Sequence, residues 1–350
     1  MRIPAQWSLT ILLLIALITA CQQGAKRDVV QKSLIPATPD SNLWLKETRG
    51  IRDILQDDKG NLWFSSPDYV AKYDGGDIRY FTGKNGLPVS GNLHKDSRGT
   101  LWVENGFRAF KYNGEGFSEE GIDGIRGSGT LWIQKGLNPT DTVYVAPGVY
   151  EATPEATTFH PYPVPADMGN KYLYFPTTKA TYGRDSTVWL GTMEKVFGFR
   201  DSSFVAVGRD EMGRQDDERN MGIRGIFIDH QGRLWMADNG AGLFVFDGET
   251  TENFTKKHHL DYEEGSENTL HRAFSIAEDT TGKMWFGTVY SGIWRYDPDT
   301  ETFEQFTSED GVNSDTIWTI YRTREGDLLF AGESPAAVYR FNGKSFERVF

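Results

Sequence analysis

The chain has 350 residues, with 37 Lys and Arg against 49 Asp and Glu, a net charge of −12, and one cysteine. An acidic chain without a basic cluster is a poor partner for nucleic acid or for an anionic membrane surface. A single cysteine excludes a disulfide framework within the chain.

Residues 1–21 read as an export signal. Arg2 supplies a positive start, and Leu9–Ala20 is an apolar run too short for a comfortable membrane span but suited to a signal-peptide core. The run ends Ile18-Thr-Ala-Cys21, which resembles the lipobox of bacterial lipoproteins and implies lipidation of Cys21. Residues 22–42 are polar, contain Pro36 and Pro39, and are expected to tether the domain. The domain itself is expected over 43–350, in the bacterial cell envelope, facing the periplasm or the cell surface.

From Ile51 onward one pattern recurs: Gly60-Asn-Leu-Trp63-Phe64, Gly99-Thr-Leu-Trp102-Val103, Gly129-Thr-Leu-Trp132-Ile133, Ser186-Thr-Val-Trp189-Leu190, Gly232-Arg-Leu-Trp235-Met236, Gly282-Lys-Met-Trp285-Phe286 and a degenerate Gly326-Asp-Leu-Leu329-Phe330. The slots stand 39, 30, 57, 46, 50 and 44 residues apart. Repeats of this length built from short strands predict an all-β fold, a seven-bladed β-propeller of four-stranded antiparallel blades. The sixth copy predicts its strands at Ala273–Ala277, Met284–Thr288, Gly292–Asp297 and Thr302–Phe306. Between its first two strands lies Asp279-Thr-Thr-Gly282, a turn repeated at Asp57–Gly60, Asp96–Gly99 and Asp229–Gly232, where Asp bonds nearby backbone and Gly accepts positive φ. Leu-Trp-Phe is apolar on both faces, as a strand sandwiched between neighbouring blades requires. Trp294, on the third strand, is expected to be more exposed than Trp285.

Repeats three and four, roughly 121–207, are the weakest. Six of the 14 prolines fall between Pro139 and Pro165, so edge strands and long loops are expected there, and 136–170 is a candidate lid. The last repeat ends Ser345-Phe-Glu-Arg-Val-Phe350, a complete fourth strand that leaves Leu43-Trp-Leu-Lys-Glu47 without an assigned place.

Glu278–Thr288, Gly292–Asp297 and the inter-blade loops Gly86–Asn92, Gly265–Leu270 and Gly311–Thr316 resemble the two-component regulator propeller repeat. That family commonly forms periplasmic sensor regions of hybrid histidine kinases, so the resemblance implies a capacity to bind a ligand or partner. The Leu-Trp-Phe habit is also shared with the streptogramin lyases, whose active-site His and Glu match no local motif here. An enzyme of lyase or hydrolase type and a structural envelope scaffold therefore stand as alternatives.

No His-Glu-x-x-His, Gly-Lys-[Ser/Thr] loop or Gly-x-Ser-x-Gly elbow is present, and no cofactor, metal or catalytic residue is assigned. On a propeller the loops after each second strand and those leading into each innermost strand gather at one channel mouth, where binding loops are expected. The first set carries Asp68, Glu104, Asn105, Glu194, Asp238, Asn239, Tyr290 and Glu333; the second carries Asn92, Arg219, Asn220, His271, Arg272 and Asn313. Together they predict an acidic, hydrogen-bonding rim suited to a glycan, a peptide or a protein partner better than to an anion.

Overall fold

The structure, a computed structural model, describes residues 33–88, 91–105, 108–121, 125, 129–135, 146–164, 171–214, 222–262 and 268–350. The signal segment, Cys21, Arg219 and Asn220 lie outside them.

Seven antiparallel sheets follow one another along the chain, each built from consecutive strands. Blade 1 spans Asp53–Gln56, Leu62–Ser65, Val70–Tyr73 and Ile78–Phe81. Blade 6 spans Ala273–Glu278, Met284–Thr288, Ile293–Asp297 and Thr302–Phe306, within one residue of the strands read from the sequence. Blade 3 shows three strands among the described residues, and its outer two, Gly148–Ala152 and Thr157–Pro161, come from the proline-rich stretch. That part of 136–170 is blade rather than lid. Pro161 sits on the outermost strand, where a missing N–H costs no ladder bond. Residues 136–145 and 165–170 lie outside the described residues.

The slot residues lie at the seams. Trp63 packs with Tyr112 and Phe117 of blade 2, and Trp132 with Phe197 and Phe199 of blade 4. Trp235 packs with Phe286 and Tyr296 of blade 6, and Trp285 with Phe330 and Phe346 of blade 7. Burial of such side chains contributes roughly 2–3 kcal/mol each by area alone. At the seventh seam Leu329 takes the slot and meets Phe64 and Tyr73 of blade 1, with Phe350 wedged among them. Trp294 is 5% exposed, correcting the sequence expectation, because its ring faces the seam between blades 5 and 6.

The turn aspartates do more than close hairpins. Asp279 Oδ1 accepts the Thr281 and Lys283 amides at 2.8 and 3.1 Å, while Oδ2 accepts the Trp285 indole N–H at 2.9 Å. The same bond joins Asp57 to Trp63 (2.9 Å), Asp96 to Trp102 (3.3 Å) and Asp229 to Trp235 (2.9 Å). Thus one carboxylate fixes the turn, supported by Gly282 at φ 83°, and satisfies a donor that burial would otherwise strand.

The ring closes by packing rather than by strand exchange, since blade 7 draws all four strands from Thr316–Arg348. Leu45 is buried at this seam, Trp44 lies under the Arg348 guanidinium at 4.1 Å, and the Lys46 carbonyl accepts the Tyr69 hydroxyl at 2.6 Å. These contacts give 43–47 its place. Ile35 is also buried there, and the Pro36 carbonyl accepts from Arg340 at 2.8 Å, so residues 35–36 of the expected tether belong to the packed domain.

Candidate functional site: the mouth of the central channel

Each innermost strand starts at the mouth and runs along the channel. In three blades that strand carries a bulge. Ile223 pairs with Asp238 and Gly225 with Ala237, leaving Arg224 over. Ala273 pairs with Thr288 and Ser275 with Gly287, leaving Phe274 over; Ile317 pairs with Gly332 and Thr319 with Ala331, leaving Trp318 over. Bulges re-aim side chains. All three extra residues line a cavity of about 560 Å³ at the mouth, within the usual range for small-molecule sites.

These residues form a continuous belt. The Arg224 guanidinium lies 5.7 Å from the Phe274 ring centre, Phe274 meets Trp318 edge-on at 4.4 Å, and Arg52 of blade 1 stacks over Trp318 at 3.6 Å. Arg52 also pairs with Glu333 at 2.5 Å, and Glu333 accepts the Trp318 indole N–H. Burial lowers the pKa of both arginines, opposed by the charge of Glu333 at Arg52 and of Asp238 at Arg224. Across the channel Lys179 reaches Asp53 at 2.8 Å, and Asp53 also accepts the Leu93 amide at 2.7 Å. The cavity lining therefore carries Arg49, Arg52, Lys179 and Arg224 against the single carboxylate of Asp53.

Backbone bridges stitch the rim. Asn239 pairs with Arg272, Val289 with Thr316 and Glu333 with Gly50, each linking a post-slot loop to the innermost strand of the next blade or the loop leading into it. At Gly50 a Cβ would stand 2.7 Å from the Glu333 Cβ, so this closest approach requires glycine.

The sequence-predicted rim residues divide into groups. Asn92 lines the cavity. Arg272 donates to Asn239 at 3.0 Å and lies 5.3 Å from the ring centre of the exposed Tyr290, so these three meet. Glu333 joins the belt. Glu104 is buried against His94 at 2.8 Å, and Asn105 caps its own loop by accepting the Arg108 amide at 3.0 Å. Asp238 is fully buried and bound to Arg214 at 2.7 Å; burial pushes its pKa up to about 6 despite that partner. Glu194 is buried beside Arg209 at 3.9 Å. Asp68 accepts the Thr48 hydroxyl at 2.6 Å, while Asn313 is exposed. His271 bonds Thr269 at 2.6 Å, and burial lowers its pKa.

The rim is thus less acidic than its composition implied, because Glu104, Glu194 and Asp238 are turned inward and paired within the fold. The cavity lining is cationic instead. Sequence reasoning missed Arg52, Arg224, Phe274 and Trp318. A signal existed: Gly50-Ile-Arg-Asp53 and Gly222-Ile-Arg-Gly225 repeat one motif at the same blade position, and Gly124-Ile-Arg-Gly127 is a third copy. Among the described residues, no three His, Cys, Asp or Glu side chains converge to hold a metal ion, and no helix is long and apolar enough to cross a membrane.

No family model matches the chain, and no curated protein matches it in sequence. Solved structures do. The extracellular domain of a protein described as a one-component system of B. thetaiotaomicron aligns with a TM-score of 0.61 at 16% identity, over 86% of this chain. The chain spans 40% of that structure. A streptogramin B lyase aligns with a TM-score of 0.59 at 16% identity, over 90% of this chain and 96% of that one. Sqt1 of Saccharomyces cerevisiae aligns at 0.56 with 10% identity, over 88% and 86%. At such identities the likeness shows the seven-bladed fold alone.

Proposed function

We propose that the chain is a binding or sensing module of the bacterial cell envelope, anchored through lipid on Cys21, that takes a glycan, a peptide or a protein segment at its channel mouth. The observation that carries this reading is the set of three bulges. Each unpairs one residue of an innermost strand, and all three of those residues line one cavity. The likeness to the extracellular domain of a one-component system supports the same reading at the level of fold.

A glycan and peptide screen against the full chain, read by thermal shift, tests it. Hits are expected to lose affinity in Trp318→Ala and to keep it in Thr280→Ala, at the opposite channel end. Equal binding by both variants would move the site away from the mouth, and chemical conversion of a hit would replace binding with catalysis. Fatty-acid labelling checks the anchor: label retained in Cys21→Ser would overturn it.

A further inference from the structure

The cavity carries a charge opposite to that of the protein. The chain has net charge −12, yet the mouth presents four cationic side chains. Two of the four are balanced by acids, since Asp53 is engaged by Lys179 and two backbone amides and Glu333 by Arg52 and Trp318, while Asp238, bound to Arg214 and the Ala241 amide, also acts on Arg224. Arg49 is exposed, and no carboxylate lies within salt-bridge distance of it among the described residues. A cleft with low-dielectric walls focuses such a field on whatever enters.

The arginines are also held in a particular way. Arg52 lies 3.6 Å over the Trp318 ring centre and Arg224 5.7 Å from that of Phe274, contacts that hold each cation beside an aromatic face. In-plane N–H donors of a stacked guanidinium remain the groups that grip a planar anion, and the arginine fork matches a carboxylate in two parallel bonds. The half-buried Trp318 and Phe227 add apolar wall on which the body of such a ligand can lie.

We infer that the channel mouth is an anion site whose ligand is a small organic carboxylate, its charged group seated among Arg49, Arg52 and Arg224. The inference rests on the channel-mouth reading above and narrows its ligand class, reversing the preference the sequence suggested.

Calorimetry on the full chain with D-glucuronate and phenylacetate, each against its neutral counterpart, D-glucose and phenylacetamide, is the test. At least one acid is expected to bind while its neutral counterpart does not, with affinity falling as salt rises. Arg49→Ala and Arg224→Ala should each weaken that binding about tenfold or more, as loss of a charge-assisted hydrogen bond does. His230→Ala, at the far end of the channel, should leave it unchanged. Arg49 is exposed, so its variant remains informative even if Arg224→Ala folds poorly. Binding of the neutral compounds that survives Arg49→Ala would overturn the anion assignment and leave the channel-mouth reading standing. Acid binding indifferent to both arginines would overturn both. Failure of both acids to bind, or tighter binding of inorganic sulfate, would overturn the carboxylate class.

Discussion

The indole–carboxylate bond between Trp285 and Asp279 makes a quantitative prediction about how a blade is held. Trp285 is 2% exposed and packs against Phe330 and Phe341 at 5.3 and 5.1 Å. Asp279→Ala removes the acceptor for that indole and for the Thr281 and Lys283 amides. Turn bonds to exposed amides are replaced by water, whereas the buried indole N–H is left without a partner. Roughly 1 kcal/mol from the turn plus about 1–2 kcal/mol from the stranded donor gives an expected loss of about 2–3 kcal/mol. Trp285→Phe keeps an aromatic ring and removes the donor, so in that background Asp279→Ala should cost about 1–2 kcal/mol less. Urea titration of the four proteins in the cycle, at constant m-value, measures this coupling. Additivity within about 0.5 kcal/mol would show that the turn aspartate and the slot tryptophan act independently and would refute the reasoning.

Trp285→Ala and Trp294→Ala should each cost about 3–5 kcal/mol in the same titration, since both rings are buried at seams. Asp238→Ala leaves Arg214 buried without its carboxylate and should cost about 3–5 kcal/mol by denaturant titration, instead of acting on binding alone. Because burial raises the Asp238 pKa to about 6 in the fold, its contribution to stability should fall as pH rises from about 4 to 6 and then level off. Asp238→Asn, compared with the wild type across that window, should lack this fall. Asp229 and Asp279 behave oppositely. Burial raises their pKa values, but the indoles of Trp235 and Trp285 and nearby backbone donors outweigh it, holding both below the usual range. Their stabilisation is complete above about pH 4 and is lost as pH falls through the depressed values, so the Asp229→Ala, Asp279→Ala double variant should lose less stability than the wild type between pH 5 and 3.

Much of the fold was legible because the propeller repeats its own grammar. Leu-Trp-Phe and its variants, flanked by Asp-x-x-Gly in four blades, located strands and turns, and in blade 6 the pattern placed the second and fourth strands to the residue. The bond between Asp279 and Trp285 was not legible, since turn chemistry predicts the bonds of Asp to nearby backbone and does not reveal that the hairpin brings an indole six residues on to the same carboxylate. At the site, loop positions were identifiable from topology, but whether Asp238 or Glu104 faces solvent depends on partners from other segments, Arg214 and His94. Arg224, Phe274 and Trp318 stayed hidden for another reason. A bulge looks like an ordinary position in a strand, and only the cross-strand register reveals that a residue has been left over.

Those leftover residues separate two demands that usually compete. A side chain in a paired, seam-facing position cannot change without disturbing its neighbours, and Trp285 is fixed in that sense. Arg224, Phe274 and Trp318 have no partner opposite them in the ladder, and the seven seams are packed by other residues. Replacing one rewrites the chemistry of the channel while the strand pairing beneath it stays the same. Three such positions, filled by a cation and two different aromatic rings, make the mouth a place where ligand choice can drift among descendants of one propeller without each change first being rescued elsewhere in the ring.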